Sequence, residues 1–344
     1  MKDVVFTLFA ALTLAIGLQP VPTAAQDKPP NVKTTAAVKK WIPPRTPDGQ
    51  PDLQGIWSNV TVTPLERPSQ FAGKPFLTAE EAAAYQKQAL KNSNKDRRDG
   101  SADDDLNRAY NEAWYESVKK TDQTIRPSLV IDPPDGRIPA WTPEVQKRED
   151  ARTQEMKRRG PEPADSWEDR TLSERCITLG APRLPRGYNS NFQIVQTPKY
   201  VVILHEMIHE ARIIPLDGRP HIDKNIPQWL GDSRGRWEGN TLIVDTTNFN
   251  DKIVFNIVNC CRGAGANLHV IERFTRLDAD TIDYQYTVDD PSTFTKPYTV
   301  ALPWTKIDGP LFEYACHEGN YGMVNILSNA RAAEAAARDA AKKK

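Results

Sequence analysis

Segment 205–209 reads His-Glu-Met-Ile-His and matches the pattern H-E-x-x-H. In that pattern two imidazoles one helical turn apart bind zinc and the glutamate polarises the bound water, so the segment must be helical. The flanking segments 200–204 and 211–215, however, are strand-like. On a strand, His205 and His209 share a face but lie about 13 Å apart, too far to hold one ion unless the chain turns between them. We therefore predict no metal site.

A turn near residues 207–208 gives the same segment a different role. It would bring Glu206, His209 and Arg212 together at one mouth of a barrel. The three side chains combine a carboxylate, a tunable base and a guanidinium that binds anions, so they can transfer protons or bind the polar end of a ligand. The alternative is a plain hairpin whose polar side chains lie at the rim. We take the three residues as candidate catalytic residues.

Two further candidate catalytic residues lie on strand-like segments. Asp245 comes near the end of segment 241–246, where an unpaired carboxylate is costly to bury, so we expect an arginine or histidine partner. His269 lies in segment 268–274, where a period of two places it on the opposite face from Glu272. Either face can line the interior. The candidate ligand-binding residues are Trp57, Arg219, His221, Arg236 and Trp304.

The N-terminus has the pattern of a signal peptide over residues 1–25. Its apolar run, 4–18, is shorter than the ~18–20 residues that span a bilayer, and Thr23 and Ala25 stand where the small residues of a cleavage site belong. The alternative is an uncleaved anchor. No later apolar stretch is long enough to span a membrane. We therefore predict a periplasmic or secreted protein.

Export permits disulfide bonds among the four cysteines. Cys260 and Cys261 are adjacent, which suits either a vicinal bridge or two free thiols. Cys176 and Cys316 then remain for a long-range bridge, worth about 4–5 kcal/mol in the chain-entropy model. A cysteine-based zinc site would need a C-x-x-C pair, which the sequence lacks.

The elements that must position these residues are mostly strands. After a proline-rich leader at residues 26–51, a single domain spans 52–327. About nine segments have strand patterns, and 229–240 has the pattern of a glycine-rich turn fixed by Asp/Arg pairs. Consecutive antiparallel strands with short connections favour closure, which removes exposed edges. We predict a mainly β fold: an antiparallel β-barrel or strongly curved sheet of eight to nine strands, lipocalin-like in form.

Helical segments are predicted outside this sheet. Residues 78–120 read as an N-terminal helical insertion, with Thr78 as the N-cap of its first helix and 106–120 as its second. Residues 142–170 are charged and helix-leaning and begin with a Thr-Pro pair. The Ala- and Lys-rich residues 328–344 predict a C-terminal helix or tail.

Charge and missing motifs exclude several classes of protein. Lys plus Arg and Asp plus Glu both total 45, so the basic surface typical of nucleic-acid binding is missing. The sequence contains no G-x-S-x-G, no Walker A motif and no G-x-G-x-x-G. These absences disfavour α/β serine hydrolases, P-loop enzymes and Rossmann dehydrogenases. We predict no cofactor and no nucleic-acid partner.

Segments 52–57, 128–137, 216–221 and 231–239, which include Asp-Leu-Gln-Gly-Ile-Trp and Leu-Asp-Gly-Arg-Pro-His, form a specific set of motifs. Together they resemble a large family of exported proteins with no established activity, numerous in soil bacteria such as acidobacteria. The family's members also end in a stretch similar to segment 313–318. The resemblance covers about residues 45–330 and implies export and one shared β-rich fold, but no reaction.

The resemblance also bears on the candidate site. In that family the positions matching Glu206, His209 and Arg212 recur, whereas the position matching His205 is often aromatic. This difference speaks further against zinc. Segment 254–267 departs from the loop usual in the family.

Two functions from different classes fit these observations. The leading hypothesis is an exported small-molecule-binding barrel with a polar site at its mouth. The alternative is a lyase, isomerase or hydrolase acting on a small organic or sugar-like substrate. In that enzyme His209 is the general base, Glu206 orients it, and Arg212 stabilises negative charge. A minor alternative, a structural envelope protein, predicts no pocket with convergent polar groups.

Overall fold

The structure of the protein, a computed structural model, describes residues 41–94, 96–97, 100–107, 125–160, 163–185, 187–255 and 261–343. These residues belong to one compact unit, Trp41–Lys344. The predicted signal peptide, most of the proline-rich leader and most of the predicted second helix of the insertion lie outside the described residues.

Antiparallel strands form one sheet that curves into a nearly closed barrel, which confirms the predicted fold class. The strands are β1 Gly55–Ser58, β2 Val130–Asp132, β3 Asn191–Gln196, β4 Tyr200–His205, β5 Ala211–Pro215, β6 Asp232–Glu238, β7 Thr241–Thr247, β8 His269–Arg276, β9 Thr281–Asp289 and β10 Tyr298–Lys306. Their order in space is β5-β4-β3-β1-β10-β9-β8-β7-β6, and β2 pairs with β10 beside this series. The two end strands, β5 and β6, lie against each other.

Inward and outward side chains alternate along the long strands, as a period of two requires. On β8, Val270, Glu272 and Phe274 are buried, whereas Arg273 is exposed on the outer face. The largest fully buried side chains are Trp57, Tyr284, Tyr286, Tyr298, Phe249 and Phe274. Burial of this apolar surface is the main favourable contribution to folding of the barrel.

The described part of the chain contains four α-helices: α1 Ala79–Ser93, α2 Ala102–Asn107, α3 Pro143–Arg159 and α4 Tyr321–Lys342. Thr78 and Glu81 form a capping box at the start of α1, and Thr142 caps α3 with a proline in the first turn. Helix α3 ends before Gly160, so only the first part of segment 142–170 is α-helical. Helix α4 begins earlier than residue 328, where the C-terminal helix was predicted.

The prediction of a glycine-rich turn at segment 229–240 is wrong for most of its length. Residues 232–238 form strand β6, which pairs with β7 along its whole length, so the sheet formed by the described residues has ten strands rather than eight or nine. Arg234 and Arg236 face outward, while Ser233 and Gly235 occupy the inward positions. Because these inward residues are small, the strand lacks the alternation of apolar and polar residues that marks the others.

One end of the barrel carries the features that concern function. Strand β4 ends at His205, a 3₁₀ turn follows at Met207–His209, and β5 begins at Ala211. We call this the turn end. Ile208 and His209 have φ angles of 64° and 42°, left-handed values that reverse the chain within a few residues. The predicted turn between the two strands is therefore present.

Candidate functional site

The turn places the two histidines of the H-E-x-x-H segment in different surroundings. His205 is buried: its Nδ1–H donates to the Met207 carbonyl over 2.9 Å, and its ring lies 4.6 Å from that of Phe192. His209 is exposed, and its Nδ1–H donates to the Tyr314 carbonyl over 2.8 Å. Within the described ranges, no three His, Cys, Asp or Glu side chains form a group suited to a metal ion.

Glu206 is buried behind the turn, where it anchors neighbouring backbone. Its carboxylate accepts hydrogen bonds from Asn191 Nδ2 over 2.7 Å and from the backbone N–H of Phe312 over 2.9 Å. The residues that follow it include the left-handed Ile208 and His209, and the His209 side chain is exposed to solvent. Arg212 pairs with Glu272. The three residues predicted to converge at the mouth therefore bind different groups, and the structure does not join them in one site.

Arg212 and Glu272 form a buried ion pair inside the barrel. The two Nη groups of Arg212 donate to the two carboxylate oxygens over 3.1 and 2.5 Å, and the Tyr284 hydroxyl donates to the same carboxylate over 2.7 Å. Burial alone lowers the pKa of Arg212, but Glu272 more than offsets this, so the pKa lies above its ordinary value. Burial raises the pKa of Tyr284 well above its ordinary value, so the hydroxyl keeps its proton.

A cavity lies beside this ion pair at the turn end of the barrel. Its accessible volume is about 30 Å³, room for about one water molecule. Phe192 and Trp304 stack on its wall with ring centres 4.2 Å apart. Tyr284 and Phe274 lie 4.9 and 5.5 Å from the Trp304 ring. The cavity therefore combines aromatic surface with charged side chains.

A second ion pair lines the same cavity. Arg183, in the loop before β3, contacts Glu210, which lies between the 3₁₀ turn and β5. Both side chains are buried, and Glu210 also accepts a hydrogen bond from the backbone N–H of Leu179 over 3.3 Å. The wall thus carries two arginines and two glutamates.

Two residues that line the cavity each carry an N–H that has no partner within the described part of the protein. The two groups are Arg212 Nε–H and Trp304 Nε1–H. Trp304 is only 3% exposed, and the Arg212 side chain is 10% exposed. A buried donor left unpaired costs about 1–3 kcal/mol. Both nitrogen atoms have almost no accessible surface, so neither N–H faces the open part of the cavity.

Asp245 has two histidine partners, on the outside of the barrel. His221 Nε2 and His269 Nε2 lie 3.2 and 3.0 Å from the same Asp245 oxygen. His221 Nδ1 lies 2.9 Å from Asp232, whose other oxygen accepts from Arg234 over 2.7 Å. Asp245 and His269 project from the outer faces of β7 and β8. This outer cluster is separate from the cavity.

The remaining predicted ligand-binding residues have different surroundings. Trp57 is fully buried in the core, where its indole N–H donates to a backbone carbonyl over 2.9 Å. Arg219 binds the neighbouring Asp217 in an exposed turn, and Arg236 pairs with an exposed glutamate on β6. Trp304 does line the cavity.

The predicted disulfide joins Cys176 to Cys316. It ties segment 312–320, which we call the strap, to the loop that precedes β3. Glu206 and His209 bind the same strap, so it is attached to the turn end at three points. Among the described residues no cysteine is free; Cys261 is buried, and Cys260 lies outside the described residues.

Most of the residues that line the cavity are not among the site residues predicted from the sequence. Glu272 was placed correctly on the face opposite His269, but no partner was assigned to it. The sequence does carry a signal for Glu272, because this residue stands between the inward apolar residues Val270 and Phe274. A carboxylate at a buried position there must be paired. Arg183 and Glu210 carry no comparable signal.

No family model, curated protein or solved structure matches this chain. None of the helices in the described ranges combines the length and the hydrophobicity needed to cross a membrane.

Proposed function

We propose that the protein binds a small molecule in the cavity at the turn end of its barrel. The observation that carries this proposal is the cavity itself, which is lined by aromatic rings and by two ion pairs at one end of the barrel. Small-molecule sites at the mouths of β-barrels typically combine apolar and aromatic walls with a few polar groups. The disulfide and the predicted signal peptide support a periplasmic or secreted location.

The enzyme alternative, with His209 as general base, has less support. His209 is exposed and binds the strap, and both carboxylate oxygens of Glu206 are used by Asn191 and Phe312. Glu206 therefore does not orient the imidazole. The charge of Arg212 is neutralised by Glu272, which leaves it little capacity to stabilise a developing anion.

Ile203 and Ile213 provide matched positions for a test on neighbouring strands. Ile203 is buried and lines the cavity, whereas Ile213 is exposed. With the wild-type protein we expect para-fluoroacetophenone to show line broadening in fluorine NMR. Ile203→Phe, which fills the cavity, should abolish the broadening, and Ile213→Phe should leave it unchanged. Overpacking costs about 1–3 kcal/mol, so a thermal melt is needed to verify that both variants are folded.

The same titration includes fluorobenzene and para-fluorobenzoate, so that the result does not depend on one ligand chemistry. If the wild-type protein broadens none of the three signals, the proposal is wrong. It is equally wrong if the folded Ile203→Phe variant broadens them as the wild type does, because the probes then bind elsewhere.

A further inference from the structure

We propose that the Cys176–Cys316 disulfide is a site of thiol–disulfide exchange, open in the folded protein to an external thiol that carries a positive charge. Three features of the structure support this site: the position of the bond in an open groove, the different surroundings of its two sulfur atoms, and the charge of the groove. Exchange would free the strap from its covalent attachment to the loop before β3.

The disulfide lies in the wall of a surface groove, which we call the disulfide groove. Both cysteines line it, together with residues 173–174 of the loop before β3 and residues 313–320 of the strap. Its accessible volume is about 450 Å³, which admits a small thiol or a side chain of another protein. The rate of thiol–disulfide exchange depends on access to the sulfur atoms. The groove therefore makes this bond a target for exchange without unfolding.

The two sulfur atoms have different surroundings, which set the direction of attack. Cys176 is buried, with only 4% of its surface exposed, and Asn320 Nδ2 lies 3.4 Å from its Sγ. Cys316 is partly exposed. A nearby N–H stabilises a thiolate, and the more stable thiolate leaves faster. An incoming thiolate should therefore attack Cys316 Sγ and displace Cys176.

Complete exchange uses two external thiols. The first, as a thiolate, bonds to Cys316 Sγ while the S–S bond breaks, and Cys176 leaves with the electron pair and takes a proton from water. The second thiolate attacks the external sulfur of this mixed disulfide and releases Cys316, which is protonated in the same way. Two electrons thus reduce the protein disulfide to two thiols, and the two external thiols become one disulfide.

Hydrogen bonds keep the strap in place after the bond is cleaved. The side chains of Glu206 and His209 bind its backbone, and Asn320 Nδ2 donates to the Glu174 carbonyl over 3.1 Å. The two thiols therefore stay near each other and can form the disulfide again. Exchange at this site is accordingly reversible.

The charge of the disulfide groove selects the external thiol. Three glutamates line the groove, and among the described residues no lysine or arginine does. Glu174 is neutralised by Arg170, whereas Glu313 and Glu318 are exposed and have no ion-pair partner within the described ranges. Uncompensated carboxylates attract cations and repel anions. A thiol with a positive charge should therefore react faster than one with a negative charge.

Reduction in native buffer by cysteamine, which carries an ammonium group, and by mercaptoacetate, which carries a carboxylate, tests the site. The products are alkylated with iodoacetamide and mapped by mass spectrometry, and circular dichroism verifies that the protein stays folded. We expect reduction without urea, alkylation of both Cys176 and Cys316, and a trapped cysteamine adduct on Cys316 at early times.

The double variant Glu313→Gln/Glu318→Gln tests the selection by charge. The preference for cysteamine over mercaptoacetate, taken as a ratio of rate constants, should fall about tenfold when the two carboxylates are removed. The intrinsic reactivity of each reagent cancels, because the same two thiols react with both proteins. Glu80→Gln/Glu144→Gln is the matched control: it removes two exposed glutamates outside the disulfide groove and should keep the wild-type preference.

The possible results separate access, direction and charge. If the bond is reduced only in urea, it is closed to thiols in the folded protein and the proposal is wrong. An early adduct on Cys176 would overturn the direction of attack. If Glu313→Gln/Glu318→Gln keeps the wild-type preference, the groove does not select a cationic thiol and the inferred class of reagent is wrong.

Discussion

Arg212 is tolerated inside the barrel because Glu272 neutralises its charge and Tyr284 adds a hydrogen bond to the carboxylate. A buried pair of this kind adds little net stability compared with apolar packing, but removing one partner leaves a buried charge without compensation. Glu272 holds the pKa of Arg212 above its ordinary value, so the guanidinium stays protonated. Its buried positive charge therefore needs the carboxylate as a partner. The ion pair therefore behaves as one unit.

Glu272→Gln tests this dependence at the level of one residue. The change removes the negative charge with little change in shape, so we expect the free energy of unfolding to fall by about 3 kcal/mol in urea denaturation. Glu238→Gln is the control, since Glu238 is an exposed carboxylate with arginine neighbours, and it should cost no more than about 0.5 kcal/mol. Equal effects of the two variants would show that the Arg212 pair is open to water.

At the scale of elements, the strap links the turn end to the loop before β3. Its attachments are the Cys176–Cys316 disulfide, the Glu206 carboxylate at Phe312 and the His209 imidazole at Tyr314. The sequence predicts Glu206 and His209 as catalytic residues, whereas in the structure both side chains form hydrogen bonds to the strap. A role in holding a chain segment also accounts for a buried glutamate whose oxygens are both occupied.

The double variant Cys176→Ser/Cys316→Ser tests how far the strap depends on the disulfide. The bond closes a loop with a sequence separation of 140 residues, and its loss should lower the free energy of unfolding by about 2–5 kcal/mol. Hydrogen exchange should accelerate first in segment 312–320, because the segment then loses its one covalent attachment and keeps only hydrogen bonds and packing contacts. Glu318→Gln, an exposed change in the same segment, is the control. Unchanged exchange in the strap would show that the disulfide is not needed to hold it.

Local patterns predicted local structure well. The caps at Thr78 and Thr142, the turn near residues 207–208 and the placement of His269 and Glu272 on opposite faces of β8 all follow from short-range rules. The partners within the site do not, because strand register decides them. Arg212 and Glu272 stand 60 positions apart in the chain and lie on β5 and β8, which are not paired with each other. Rules that concern residues close together in the sequence therefore cannot predict this ion pair.

At the scale of the whole molecule, the barrel closes where β5 meets β6. The series of paired strands begins with β5 and ends with β6, and Gly235 lies at the seam where these two strands meet. A Cβ atom at Gly235 would lie 2.7 Å from Leu216 Cδ2 and 2.8 Å from Ile214 Cγ2. Ile214 is fully buried and has little room to move, so the close approach requires glycine.

Gly235→Val should therefore strain the seam. We expect the free energy of unfolding to fall by about 1–3 kcal/mol, the usual cost of forcing extra carbon atoms into a packed interior. Arg236→Val places the same side chain one position along, on the exposed outer face of β6, where a β-branched residue suits a strand. That control should stay within about 0.5 kcal/mol of the wild type. Because residues of β5 and β8 line the cavity, a strained seam should also reduce the broadening of the para-fluoroacetophenone signal in fluorine NMR. If Gly235→Val matches the Arg236→Val control in both measurements, β5 and β6 are not packed closely enough to close the barrel.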